Sequence, residues 1–250
     1  MRCHEISAEG DNTVIILAGY MFGAWSLVPL ARCFTNHRVY CIDGIADEED
    51  GRNAFDAFNT YLNAFLIGRK AGSVTLIGYS MGGFAAQYFT SHYPDAVDSL
   101  VLLGSCHPAD HDGFCYASSA AFNAYLFTLP MEDIYRIATW NLLSPAAKND
   151  MALMATLREA FLRDPPSAAA CLNQLGAMAH LIRQPPFFCA VPCLSIYALQ
   201  DLVIKPAYSL KSGEADNIEM KAVTGGHLFL YENPAEVFRL ISTWLETRRR

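Results

Sequence analysis

The sequence is short of charge. Asp, Glu, Lys and Arg make up 17% of its 250 residues, against roughly 25% in an average soluble domain. A self-repelling, disordered chain is thereby excluded. Basic residues are the scarcer sign: 18 Lys and Arg face 25 Asp and Glu, a formal net charge of -7. The only basic run is Arg248 to Arg250. No cluster exists to neutralise a phosphate backbone, so nucleic acid is excluded as the main partner. The eight cysteines, Cys3, Cys33, Cys41, Cys106, Cys115, Cys171, Cys189 and Cys193, contain no CxxC pair, the spacing that most strongly signals zinc or dithiol chemistry. The opening "MRCHEISAEGDNT" lacks the apolar stretch of a signal peptide. No apolar run reaches the roughly 20 residues that span a bilayer. Internal repeats and low-complexity tracts are also lacking. The expectation is a soluble, cytoplasmic protein with reduced thiols.

What the chain has is apolar surface to bury, with 52% hydrophobic residues. The first half alternates short apolar runs with helical patterns. "TVIILAG", "HRVYCID", "SVTLIGY" and "DSLVLLGS" read as strands apolar on both faces, which a parallel sheet covered by helices requires. Between them, "AWSLVPLARCF" puts Trp25, Val28, Leu30 and Phe34 on one helical face, and "NAFDAFNTYLNAFL" does the same with Phe55, Phe58, Leu62, Phe65 and Leu66. A third helix is predicted over 81–92. This βαβαβαβ order predicts an α/β fold with a doubly wound, mostly parallel sheet.

The rhythm stops after Ser105. From 106 to 186 the chain shows helical segments broken at Pro130, Pro145, Pro165, Pro166, Pro185 and Pro186, and no strand pattern. Strands return at 192–198 and 217–223. A last helix is signed by Asn233 as cap, Pro234 at its first position and Glu236, with Val237, Leu240, Ile241, Trp244 and Leu245 as its buried stripe. The predicted organisation is therefore an α/β core of residues 1–105 and 187–250, carrying a helical cap of residues 106–186.

Within "VTLIGYSMGGFAAQY", Gly78, Ser80 and Gly82 form a G-x-S-x-G pattern between a predicted strand and a predicted helix. The pattern alone is common, and an ordinary turn would satisfy it. Its place in the chain is what points to a nucleophile. A serine nucleophile needs a base, and the base needs an orienting acid. In the chain order of this motif both come later, on loops after strands. "LSIYALQDLVIKP" supplies Asp201 and "MKAVTGGHLFLYENP" supplies His227. Two backbone N–H groups must hold the developing oxyanion. Met81 follows the nucleophile, and Tyr20 follows Gly19 in the loop after the first strong strand.

These residues together resemble the α/β-hydrolase superfamily over nearly the whole chain, from "ILAGY" through "GYSMGG" and "LQDLVI" to "GGHLFLYENPAEV". The segment around His227 looks like that of small esterases and lactonases. The branches most similar are the methyl ester esterases that act on a pimeloyl carrier in biotin synthesis, the enol-lactonases, and the lyase of menaquinone synthesis. The resemblance implies a serine carboxylic ester hydrolase with a Ser80–His227–Asp201 triad, an acyl-enzyme and no cofactor. Its substrate would be a small or medium acyl ester, thioester or lactone. Two alternatives stand beside it: a lyase that uses the triad as a base, and a non-catalytic module that clamps a ligand. The chain departs from the pattern at Ala18-Gly19, where many members have His-Gly. It departs again at "DGIADEEDGRN", where many have a glycine-rich turn, and at Phe84, where the lyase carries Arg.

The cap is rich in aromatics, and most of them are expected to pack its helices. Tyr20, Phe122, Tyr125 and Trp140 are the candidates for substrate contact. An acyl carrier protein is a further possible partner, through Arg136, Arg158 and Arg163. Cys106, His107, His111 and Cys115 form a cluster whose spacing fits no common zinc site, so no metal is expected.

Overall fold

A computed structural model describes residues 2–45, 54–111, 114–187, 189–213 and 217–248, with the side chains of 114–119 outside the description. Residues 46–53 of the acidic stretch after Asp43 lie outside the described residues. The strands are β1 (Cys3–Ser7), β2 (Asn12–Leu17), β3 (His37–Ile42), β4 (Val74–Tyr79), β5 (Val97–Leu103), β6 (Cys193–Ala198) and β7 (Ile218–Val223). They form one sheet in the order β1-β3-β2-β4-β5-β6-β7. β2 to β7 are parallel, and β1 runs antiparallel to β3 with Cys3 opposite Ile42. The mostly parallel, doubly wound sheet read from the sequence is present. β1 was not foreseen. It is a half-exposed edge strand with a polar middle, held by backbone pairing to one neighbour, so it needs no apolar run.

The helices are α1 (Val28–Ala31), α2 (Ala54–Gly68), α3 (Met81–His92), α4 (Phe114–Leu126), α5 (Met131–Trp140), α6 (Met151–Arg163), α7 (Ala168–Leu181), α8 (Pro206–Ser212), α9 (Phe229–Glu232) and α10 (Pro234–Arg248). Strand alternation feeds two cores. Val14 and Ile16 face α1 and α10, where Leu30, Val237, Ile241 and Trp244 cover them. Ile15 and Leu17 face α2 and α3, under Phe58, Leu62, Phe84 and Phe89. The single helical face expected over 24–34 is instead a 3-10 turn, Ala24–Leu27, followed by one turn of α1.

α4 to α7 are inserted between β5 and β6, with no strand from 106 to 186 among the described residues. Polar caps and prolines set their ends. Asp150 accepts from Ala152 and Leu153 N–H at 3.0 Å to start α6, and Ser167, after Pro165-Pro166, caps α7. The insertion joins both cores, Leu126 and Phe161 on one side and Leu175 and Met178 on the other. It meets the loops that follow β2, β3 and β7, through Tyr20–Asn123, Ile45–Gln174 and Leu228–Leu142, at the end where open α/β sheets bind ligands.

Candidate active site

β4 ends at Tyr79 and α3 begins at Met81, leaving a single residue for the turn. That residue is Ser80, held at φ 53° and ψ -120°. Few non-glycine residues adopt such a backbone, and the strain costs on the order of 1–3 kcal/mol. The glycines around it are there for close approach. A Cβ at Gly78 would meet Gly82 O and, at 2.5 Å, Gly83 Cα. One at Gly82 would meet Leu17 O and, at 2.7 Å, Ala18 O. One at Gly83 would strike Ser105 Oγ and, at 2.5 Å, its Cβ. The turn is braced on both sides. Ser80 N–H donates to Leu103 O at 2.9 Å, and the Ser105 hydroxyl donates to Ser80 O at 2.9 Å.

The structure brings Ser80, His227 and Asp201 together. His227 Nε2 lies 2.9 Å from Ser80 Oγ, and His227 Nδ1 lies 2.7 Å from Asp201 Oδ2. All three are buried, Ser80 being the most exposed at 8%. The tautomer with Nδ1–H donating to the carboxylate leaves Nε2 to accept from the Ser80 hydroxyl. The other carboxylate oxygen, Oδ1, accepts from Val203 N–H at 2.8 Å and Ile204 N–H at 2.9 Å, so the acid has no freedom to turn away. The Tyr79 hydroxyl donates to His227 O at 2.8 Å. Burial raises its phenol well above the ordinary value, which keeps it a donor.

The loop of His227 is also held by the insertion. Leu228 N–H donates to Leu142 O at 2.8 Å. Gly226 lies flat against Leu143 and Ser144, where a Cβ would sit 2.7 Å from Ser144 N. Glu232 Oε1 closes this contact by accepting from Gly226 N–H at 3.1 Å and Ser144 N–H at 3.0 Å.

The loop after β2 lies beside the serine. A Cβ on Gly19 would be 3.1 Å from Ser80 Cβ. Among the described residues, neither the Tyr20 nor the Met81 backbone N–H has a protein acceptor, and Met81 N–H belongs to the first turn of α3.

A family model described as the alpha/beta hydrolase fold matches residues 14–114, the stretch that carries β2 to β5 and Ser80. The chain has the α/β-hydrolase fold. Three solved structures extend the likeness over its full length. A putative non-heme bromoperoxidase, BpoC, from Mycobacterium tuberculosis H37Rv is 18% identical at a TM-score of 0.79, covering 99% of this chain and 96% of its own. An esterase from Exiguobacterium antarcticum is 14% identical at 0.78, covering 98% and 94%. MenH from S. aureus is 19% identical at 0.74, covering 100% and 98%. No protein of curated function matches the chain in sequence.

In this α/β-hydrolase fold the candidate substrate contacts fall apart. Tyr20 is partly buried, and its hydroxyl donates to Asn123 Oδ1 at 2.9 Å. Phe122, Tyr125 and Trp140 are 52%, 62% and 59% exposed, and Lys148 Nζ sits 4.7 Å over the Trp140 ring. The structure does not enclose these three around Ser80; α4 turns Asn123 and Leu126 inward instead. A cavity of about 300 Å³ opens beside the Tyr20 loop, lined by Gly19, Met21, Gly44, Cys171 and Gln174. At its rim Arg2 bridges Asp43 at 2.7 Å and Asp164 at 2.8 Å, tying β3 to the insertion.

The three arginines considered for a carrier protein have acidic neighbours. Arg158 meets Glu132 at 2.7 Å, Arg136 lies 3.8 Å from the same carboxylate, and Arg163 pairs with Glu159. His107 is engaged through both ring nitrogens, to Phe187 O and Ala109 N–H, and His111 packs against Phe84 and Tyr208. The side chain of Cys115 lies outside the described residues, and no group of three potential metal ligands occurs among the described ones. No helix among the described residues is long and apolar enough to cross a membrane.

Sequence reading missed Tyr79, Ser105, Asn123 and Glu232. Only Glu232 carried a signal, its place between His227 and the proline that opens the last helix.

Proposed function

We propose that the chain is a serine hydrolase of carboxylic esters of small or medium acyl groups, with the inserted helices acting as the cap of its site. The single observation that carries this reading is the unbroken line from Ser80 Oγ through His227 to Asp201 Oδ2, at 2.9 and 2.7 Å. In the reading, Ser80 Oγ attacks the ester carbonyl carbon as its proton passes to His227 Nε2. Asp201 holds the imidazole in the tautomer that accepts this proton and stabilises the imidazolium. The carbonyl oxygen becomes an oxyanion held by the Tyr20 and Met81 N–H groups, each such donor contributing about 10²–10³ in rate. Collapse breaks the C–O bond, and the imidazolium returns its proton to the leaving alkoxide. Water, deprotonated by His227, then attacks the acyl-enzyme. The acid is released and Ser80 recovers its proton.

The structurally similar Exiguobacterium protein is an esterase, and that activity fits this site chemically. A carrier-borne ester has less support, because Arg136, Arg158 and Arg163 are already turned to Glu132 and Glu159. A lyase reading is favoured by one observation, the full-length likeness to MenH. Against it, Phe84 is buried against His111 and offers no charge to an anionic substrate.

The experiment is rapid quenching of the enzyme with p-nitrophenyl butyrate, followed by peptide mass analysis. A butyryl group on the Ser80 peptide, with a burst of nitrophenol, is the expected result. Ser80→Ala should show neither. Absence of acyl-enzyme and of any burst in folded wild type would overturn the reading, and elimination activity alongside that absence would favour the lyase.

A further inference from the structure

We propose that Asn123 is a positioning residue for the oxyanion loop, acting through the hydroxyl of Tyr20. The inference rests on the hydrolase reading above, in which the Tyr20 N–H is an oxyanion donor.

The loop from Gly19 to Gly23 has little of its own to fix it. Its last sheet bond is Ala18 N–H to Ile42 O at 3.0 Å, and its next anchor is Ala24 N–H to Asp43 Oδ1 at 2.6 Å. Between them Met21 sits at φ 63°, a left-handed backbone that side-chain-bearing residues disfavour. Contacts outside the loop hold it: Phe22 is buried against Phe161 of α6, and at the oxyanion end the Tyr20 side chain reaches α4. Its hydroxyl donates to Asn123 Oδ1 at 2.9 Å, across 103 residues of sequence. Asn123 is 6% exposed on a helix whose neighbouring aromatics face solvent. A buried amide is costly unless hydrogen-bonded, so this contact is directed. Burial raises the Tyr20 phenol far above its ordinary value, and Cys171 of α7 lies against it. The hydroxyl therefore remains a donor at any pH the enzyme meets.

The consequence is chemical. Gly19 rests on Ser80, and Tyr20 N–H is in the next peptide. A loop that swings by a fraction of an ångström takes its N–H away from the oxyanion while leaving the Ser80–His227–Asp201 line intact. Misplacement on that scale costs catalysis more than binding. The helices covering the site and the loop that holds the oxyanion are thus joined through this bond.

The test uses five forms: wild type, Asn123→Leu, Asn123→Asp, Tyr20→Phe and the Tyr20→Phe/Asn123→Leu double variant. Steady-state kinetics on p-nitrophenyl butyrate are read together with amide hydrogen exchange of the 18–24 segment. Asn123→Leu and Tyr20→Phe should each lower kcat about tenfold, with KM within about twofold, the rate equivalent of one hydrogen bond. The double variant should be no slower than the slower single one, because both remove the same bond. Asn123→Asp keeps an acceptor and should recover kcat to within about threefold of wild type. Exchange over 18–24 should quicken in the Leu, Phe and double forms and not in Asn123→Asp, with 78–88 unchanged. Single variants within twofold of wild type in kcat, or effects that multiply in the double variant, overturn the proposal. If Asn123→Leu does not fold, Tyr20→Phe, which deletes one oxygen, decides by the same criteria. If wild type has no turnover, the hydrolase reading fails separately and exchange decides: unchanged protection over 18–24 overturns the positioning role, and faster exchange confined to it sustains that role.

Discussion

Replacing Glu232 by alanine probes whether the insertion and the His227 loop are joined. Its carboxylate accepts from Gly226 N–H, next to His227, and from Ser144 N–H, in the insertion. In Glu232→Ala both donors lose their acceptor at a contact where Ser144 is buried. A hydrogen bond to a charged acceptor contributes about 1.5–3 kcal/mol. Glu232 is itself partly exposed, which places each bond at the low end and the pair at about 3 kcal/mol. Unfolding entropy of about 2.1 cal/mol/K per residue gives about 0.5 kcal/mol/K for 250 residues. The expected fall in Tm is therefore about 6 °C. Glu232→Gln keeps an acceptor oxygen at the same place and should lose about half as much. His227 lies between the two peptides that the insertion holds, so kcat should fall about tenfold in Glu232→Ala with little change in KM. Calorimetry and ester kinetics on the three forms read both effects. A Tm within 1 °C of wild type in Glu232→Ala, or a glutamine variant no better than alanine, would show that this carboxylate does not join the two segments.

At the elbow, Gly83→Ala drives a methyl into Ser105 and should cost about 2–3 kcal/mol; adding Ser105→Gly should restore at least half of the lost Tm, and no restoration would show that the clash lies elsewhere. Tyr79→Phe leaves the buried His227 carbonyl without its donor, so Tm should drop by about 2–6 °C and kcat should fall with KM held, which melting and kinetics check directly. Burial pushes the Cys41 and Cys189 thiols from 9.0 up to about 12. Below pH 9 both folded and unfolded chains keep these protons. Between pH 9 and 12 the unfolded chain loses them first, so stability should fall as pH rises, by about 1.4 kcal/mol per pH unit per thiol. Denaturant midpoints that stay level from pH 9 to 11 would contradict this.

The Ser80–His227–Asp201 cluster was legible because each member sits where the fold needs a loop. Ser80 follows the strand "SVTLIGY", and Asp201 and His227 follow the returning strands, so chain order alone selects them. The parallel sheet was legible from runs apolar on both faces, all six residues of β4 being buried. β1 was not, since an edge strand has one partner and tolerates His4 and Glu5 in its middle. Side-chain partners far apart in sequence were also out of reach. Tyr20–Asn123 and Ser144–Glu232 span 103 and 88 residues, and both depend on how the inserted helices land on the core. Helical periodicity says which faces are apolar, and it does not say against what they pack. The exposure of Phe122 and Tyr125 was out of reach for that reason. The Arg136–Glu132 and Arg163–Glu159 pairs, each four residues apart on one helix, were readable from spacing.

The glycines of "GYSMGG" are proposed to present Ser80 as an activated nucleophile. This is tested most directly by labelling wild type and His227→Ala with a fluorophosphonate and locating the adduct by peptide mass. Rapid modification of Ser80 is expected in wild type, and its loss in His227→Ala. No adduct on Ser80 in folded wild type, or equal labelling in the two forms, would contradict the proposal.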